Sequence, residues 1–459
     1  MNMLVVGGLA GVLGCSGPDR ARSSEPAPAA VVEAPGIALG PQRAGDPVRG
    51  WAALTGEGYV GCGVPRALWD RFGWTASPAY RLDRTTGAEL PYFMNAATLP
   101  NGIEVVTANC LGCHASMLRG KLVVGLGAMA EDFTVDLDQG FGLAGVFLGE
   151  AERAELLKLT SRMAALAPYV KMRTVGANPA DHIAAVLFAH RDPQTLAWSD
   201  EPLIPLPDAS PIPVDVPAWW LMKRKTAMFH TGAGRGDQAR IMMTASVLCV
   251  DDVAAARAID AYFPDIRAYI LALEAPRFPL AIDEPRAARG KQTFERTCAK
   301  CHGRYGASPS YRSRVIPLRT IGTDPALAQH AGQFADPFTR WFNRSFYGEH
   351  SRLEPGAGYV APPLDGVWAT APYLHNGSVP NLAALLDSSL RRDRTHIVRT
   401  GTAYDLERVG WPNEPPPAGA LDKWIFDTRY PGYANTGHTF GDKLSPDERA
   451  AVIEYLKTL

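Results

Sequence analysis

A chain of 459 residues with 46% hydrophobic content carries enough apolar material for two or three ordinary cores. Its formal net charge of −1 excludes the broad basic field that nucleic-acid binding requires, so no nucleic-acid partner is expected. The 44 glycines and 38 prolines predict many turns, and the fold class expected is mainly α, with helices joined by long irregular loops.

In chain order, the N-terminus is an apolar run ending Val12-Leu13-Gly14-Cys15. The run is too short to cross a bilayer core of about 30 Å. It reads as the hydrophobic region of a secretory signal over residues 1–15, with a buried apolar strand as the other reading. Val12 to Cys15 resembles a bacterial lipobox, which implies a lipid anchor on Cys15. The Ser, Pro, Ala and Glu-rich stretch over 16–48 reads as a disordered tether. The expected location is outside the cytoplasm, periplasmic or anchored to the bacterial outer membrane.

Trp51, Tyr59, Trp69, Trp74 and Tyr80 mark a cap segment between Arg49 and Leu90 that is expected to pack on a first domain, the two together spanning 49–280. Helices are predicted over Glu150–Leu166, over Asp181–His190, and over Val253–Leu273 with a break at Pro264. A second domain over 281–459 opens with an amphipathic helix through Gly290 and Phe294 to Cys298. It closes with Ser445 as N-cap, Pro446 at the first helical position and Glu448 completing a capping box. Val452, Tyr455, Leu456 and Leu459 form the apolar stripe of that closing helix.

Seven cysteines are present. Four form Cys110-Leu-Gly-Cys113-His114 and Cys298-Ala-Lys-Cys301-His302, the attachment pattern of c-type haem. Two cysteines one turn apart present both sulfurs to one porphyrin edge, and the adjacent histidine reaches the iron. Two covalently bound haem c groups are therefore expected, in two cytochrome c-like domains. Zinc and thiol redox pairs share the Cys-x-x-Cys spacing but do not require the histidine that follows each copy here. Cys62 and Cys249 are left over, either as a disulfide in an oxidising compartment or as two buried thiols.

The sixth iron ligand decides what each haem does. With two protein ligands a haem relays electrons; with one, it has room for an oxidant. For the second haem His438 is the first choice and His375 the second. For the first haem, the segment Pro217 to His230 supplies Trp219, Trp220, Met222, Met228 and His230. Trp219 and Trp220 are core residues or a bridge between the haems. His230 is a weaker axial candidate than an ordinary polar histidine. An open or weakly ligated first haem is expected, with His114, Trp219 and Trp220 as candidate catalytic residues. Gly232-Ala-Gly234-Arg-Gly236 lacks the lysine and context of a phosphate loop and reads as a mobile loop.

The run Ala361-Pro-Pro-Leu-Asp-Gly-Val-Trp-Ala-Thr-Ala-Pro-Tyr-Leu-His-Asn-Gly-Ser-Val-Pro380 resembles the second-domain signature of the bacterial dihaem cytochrome c peroxidase superfamily. With Trp219-Trp220 and Gly437-His438-Thr439-Phe440, the resemblance is closest to the rubber oxygenase-like branch and covers roughly residues 95–459. It implies that His114 holds the haem that meets dioxygen, and that His302 and His438 share the second, low-spin iron. In the peroxidase branch the first haem likewise meets the oxidant, hydrogen peroxide, and a small cytochrome or cupredoxin supplies electrons. The chain is shorter than typical rubber oxygenases, which leaves a polymer, a smaller alkene and an unsaturated lipid open as the apolar substrate. A plain electron-transfer cytochrome is the non-enzymatic alternative.

Overall fold

The computed structural model describes residues 35–136, 144–333, 335–391, 395–398 and 403–459. The expected signal, Cys15 and residues 16–34 of the expected tether lie outside the described residues. The rest of that stretch is not a free tether. Ile37 N donates to the Ser313 carbonyl at 2.9 Å, and the Arg43 guanidinium bridges Asp237 at 2.5 Å and Asp260 at 2.7 Å. Asp46 then caps the helix Pro47–Gly56 by accepting from Val48 N and Arg49 N. Gly50 lets this helix lie against Phe263–Ala272, because a Cβ there would fall 2.0 Å from the Asp265 carbonyl oxygen.

Helices account for 38% of the chain and strands for 12%, so the fold is mixed rather than mainly α. The strands are short, which is why alternation did not reveal them. The largest sheet has three antiparallel strands, with Glu104–Ala108 between Val64–Pro65 and Met94–Thr98. Gly234–Gly236, in the glycine-rich segment read as a mobile loop, pairs instead with Ser351–Leu353. The long helices fall close to expectation: Glu150–Val170, Ala180–Ala189, and the pair Val253–Asp260 and Phe263–Ala272 with Pro264 in the first turn of the second.

The helix Glu284–Thr297 leads to the second cysteine pair and packs on the closing helix Pro446–Leu456. Phe294 is 1% exposed and meets Tyr455 at 5.3 Å between ring centroids. Burial of one such side chain contributes about 2–3 kcal/mol. The capping box forms as read, with Ser445 accepting from Glu448 N and Glu448 accepting from Ser445 N.

Residue 280 is not a packing boundary. The described residues from 35 to 459 form one compact unit. One apolar cluster joins Leu118, Leu126 and Trp220 from the first half to Phe294, Trp368 and Val452 from the second. Cys62 and Cys249 form a disulfide, with Cα atoms 5.6 Å apart, tying the cap segment to the first half.

Candidate haem sites

The strand Glu104–Ala108 delivers the first motif. Asn109 ends the strand and accepts from Leu111 N at 2.9 Å, while its amide donates to Asn95 Oδ1 at 2.7 Å. This starts the single turn Leu111–His114 that carries Cys113 and His114. Tyr59 Oη accepts from Cys110 N at 2.8 Å, so the cap segment positions the first cysteine directly. The His114 imidazole stacks on the Trp219 indole, with centroids 4.7 Å apart and planes 22° apart. Gly125 links the two, its N–H donating to the His114 carbonyl at 2.8 Å and its carbonyl accepting from Trp219 N at 2.7 Å. Burial lowers the His114 pKa to about 3, which keeps the ring in the neutral form that binds a metal. Its Nδ1 has no formed hydrogen bond, although the Pro217 carbonyl lies near enough to favour the protonated ring.

The second motif follows the helix Glu284–Thr297, with Cys298 N donating to the Phe294 carbonyl at 2.8 Å. The turn Ala299–His302 then ends at Gly303, whose φ of 81° suits a residue without Cβ. His302 Nδ1 donates to the Pro362 carbonyl at 2.8 Å, leaving Nε2 for a metal. The His438 ring faces it at 6.1 Å between centroids, with planes 65° apart. Imidazole nitrogens bind first-row metals at about 2.0 Å, so two rings on opposite sides of one metal have centroids roughly 6 Å apart. Burial, with His302 and Arg391 nearby, lowers the His438 pKa to about 3, and burial lowers that of His302.

Both histidines and both cysteines of this motif line one cavity of about 770 Å³, otherwise walled mostly by apolar residues such as Leu364, Val367, Leu385 and Phe440. As thiols, Cys110 and Cys298 would be raised by burial to about 11, opposite to the shift of a reactive thiolate, so neither pair resembles a thiol redox site. The donor set, the histidine spacing and the cavity fit a thioether-bound haem at the second motif. The first motif offers the same donors.

His375 does not line that cavity. It stacks on Tyr359 at 3.9 Å between centroids and lies 6.4 Å from His230, so the geometry favours His438 over His375. His230 Nε2 donates to the Asp215 carbonyl at 2.7 Å. Trp219 and Trp220 are both buried, and they face different neighbours. Trp219 covers His114, while Trp220 Nε1 donates to the Asp365 carbonyl at 2.8 Å, next to Leu364 of the second cavity. A separate cavity of about 500 Å³, lined by Met129, Asp215, Trp411 and Phe426 among others, contains none of the motif cysteines.

Sequence reasoning missed Pro217 and Pro362, whose carbonyls address His114 and His302. It also missed Tyr59 and Glu131, whose carboxylate accepts from Asn178 Nδ2 at 3.2 Å beside Cys113. No local pattern marks these residues, since their partners are distant in the chain.

A family model described as RoxA-like, cytochrome c-like matches residues 358–396, the segment that carries Pro362, Trp368 and His375. The uncharacterized protein y4iJ of Sinorhizobium fredii is similar at 31% identity over 252 residues, 41% of this chain and 41% of that protein. The uncharacterized protein y4iM of the same organism is 33% identical over 191 residues, 35% of this chain and 42% of that protein. The chain thus spans about two fifths of the length of either relative. Residues 358–396 are thus similar to a RoxA-like, cytochrome c-like domain, which supports covalently bound haem c.

Proposed function

We propose that the chain is an exported dihaem c-type cytochrome that activates O2 or hydrogen peroxide at the first motif and uses the second as an electron relay. One observation carries this reading. His302 faces a second imidazole at 6.1 Å, whereas the ring neighbour of His114 is an indole at 4.7 Å. Haem c would supply an iron that binds and reduces an oxidant where an axial position is free, and a one-electron store where both are taken.

In this reading Cys110, Cys113 and His114 hold the oxidant site, and Cys298, Cys301, His302 and His438 the closed one. Trp219 stacks on His114, and Trp220 donates to the carbonyl of Asp365, three residues from the Pro362 whose carbonyl holds His302, giving a path between the motifs of one ring stack, covalent bonds and hydrogen bonds. The RoxA-like segment supports the oxygenase branch. Cleavage of an apolar alkene or unsaturated lipid by one O2 yields two carbonyl groups and needs no external electrons. The dihaem peroxidase alternative converts hydrogen peroxide to two waters with two protons and two electrons from a small cytochrome or cupredoxin.

Export is supported by the Leu13-Gly14-Cys15 pattern and by the Cys62–Cys249 disulfide, a bond that persists in oxidising compartments. Among the described residues no helix is long and apolar enough to cross a membrane.

The test is the ligation state of each haem in the purified full chain. Haem analysis should give two per chain, electron paramagnetic resonance of the oxidised form one bis-imidazole low-spin species, and optical spectra one haem that responds to O2 or CO when reduced or to peroxide. Two unresponsive six-coordinate haems would overturn both enzymatic readings and leave an electron carrier. Product analysis with a short polyisoprene or an unsaturated fatty acid, against peroxide plus reduced cytochrome, separates the two enzymes.

A further inference from the structure

We propose that Arg391 is the positioning residue that holds His438 on the second iron and keeps that site closed to external ligands. The proposal rests on reading His302 and His438 as an axial pair.

All five N–H donors of the Arg391 guanidinium are used, and all five go to main-chain carbonyls. Nε donates to Ala384 at 3.0 Å and Nη2 to Leu385 at 3.1 Å, both in the helix Leu382–Leu386. Nη1 donates to Asn435 at 2.8 Å and Gly437 at 2.5 Å, and Nη2 to His438 itself at 3.2 Å. The side chain therefore staples the His438 loop to a short helix whose Leu382, Leu385 and Leu386 wall the haem cavity. Carbonyls at the end of a helix need outside donors, and the arginine fork supplies them in a fixed geometry.

The loop needs the staple because its backbone is strained. Gly437 has φ of 72° and His438, which has a Cβ, has φ of 47°. A residue other than glycine stays in that region only where its surroundings over-determine it. On its other side the loop is gripped by backbone. His438 N donates to the Ile321 carbonyl at 2.7 Å, and a Cβ on Gly437 would fall 2.1 Å from the Gly322 carbonyl carbon. The five carbonyls occupy the fork completely, so it has no donor left for a haem carboxylate or a substrate anion. Asp442, which acts on Arg391 electrostatically, is itself bonded to Ser388 at 2.8 Å and 2.6 Å. With the fork removed, the strained loop relaxes and the His438 imidazole leaves its place opposite His302.

The experiment is carbon monoxide titration of the fully reduced, full-length holoprotein, with electron paramagnetic resonance of the oxidised form. Relative to the wild type, His438→Ala should bind one additional CO per chain and lose the bis-imidazole signal. Arg391→Ala should do the same in most molecules. Arg391→Lys keeps the charge but offers three donors in place of the fork, so it should bind a fraction of one additional CO. The response of the first haem should be the same in all of them. If His438→Ala adds no CO, the axial-pair reading falls, and this proposal with it. If His438→Ala adds one CO while neither Arg391 variant adds any, the axial pair stands and the positioning role is overturned. Should Arg391→Ala yield no folded holoprotein, Arg391→Lys alone decides by the same criterion.

Discussion

Gly290 and Ala451 meet so closely that a Cβ on Gly290 would lie 1.8 Å from the Ala451 carbonyl oxygen. This contact sets the crossing of the helix that leads to the second motif and the helix that closes the chain. Because the obstacle is backbone, Gly290→Ala must push the helices apart, at a cost of about 1–3 kcal/mol. The substitution is expected to lower the denaturation midpoint and to perturb the second haem's absorption before the first. An unchanged midpoint in guanidinium would contradict this account of the helix pair.

The Cys62–Cys249 disulfide joins residues 187 positions apart. Replacing both with serine is expected to cost about 2–5 kcal/mol, chiefly by freeing the unfolded chain. Guanidinium unfolding of the double variant against the wild type, both as holoprotein, measures it. Equal stabilities would show that cap and first half are held by packing alone.

Trp220→Phe keeps an aromatic ring but removes the donor to the Asp365 carbonyl. Leaving that carbonyl unpaired is expected to cost about 1–3 kcal/mol. If Trp220 also lies on the relay path, electron equilibration between the haems slows in the variant, as read by flash photolysis of the CO-bound, half-reduced protein. An unaltered rate with lowered stability would leave Trp220 a structural residue.

Glu131 gives a prediction about pH. Burial raises its pKa from 4.5 to about 7, against the smaller opposing effect of the Asn178 amide. A carboxyl whose folded pKa lies above its unfolded value favours the protonated fold. Its contribution is full below the unfolded pKa and is lost as pH rises through about 7. Glu131→Gln is neutral throughout. Its melting temperature should match the wild type near pH 5 and exceed it by roughly a few degrees near pH 8. A difference that shrinks with rising pH would reverse the sign and refute the assignment.

What could be read from the sequence was what chemistry or geometry keeps contiguous. Cys110-Leu-Gly-Cys113-His114 and its twin are legible because thioether attachment needs both cysteines within one turn. Ser445 and Glu448 are legible because a capping box closes over four residues. His438 stood out as a histidine just before the closing helix, and it faces His302. Pro362 and Arg391 were not legible, because each acts through backbone carbonyls or toward them, far along the chain. Arg43 looked like part of a tether for the same reason, since Asp237 and Asp260 are about two hundred residues away. The short strands escaped because two to five residues are too few for alternation to register.

The apolar cluster that takes Trp220 from one half and Trp368 and Val452 from the other has a kinetic meaning. Leu111 of the first motif packs with Trp219 in a neighbouring cluster, so the adjacent Trp219 and Trp220 tie both motifs into one compact unit and no hinge is needed to bring them together. Transfer between them should then be indifferent to solvent viscosity, and its speed would be governed by driving force and by the residues in between.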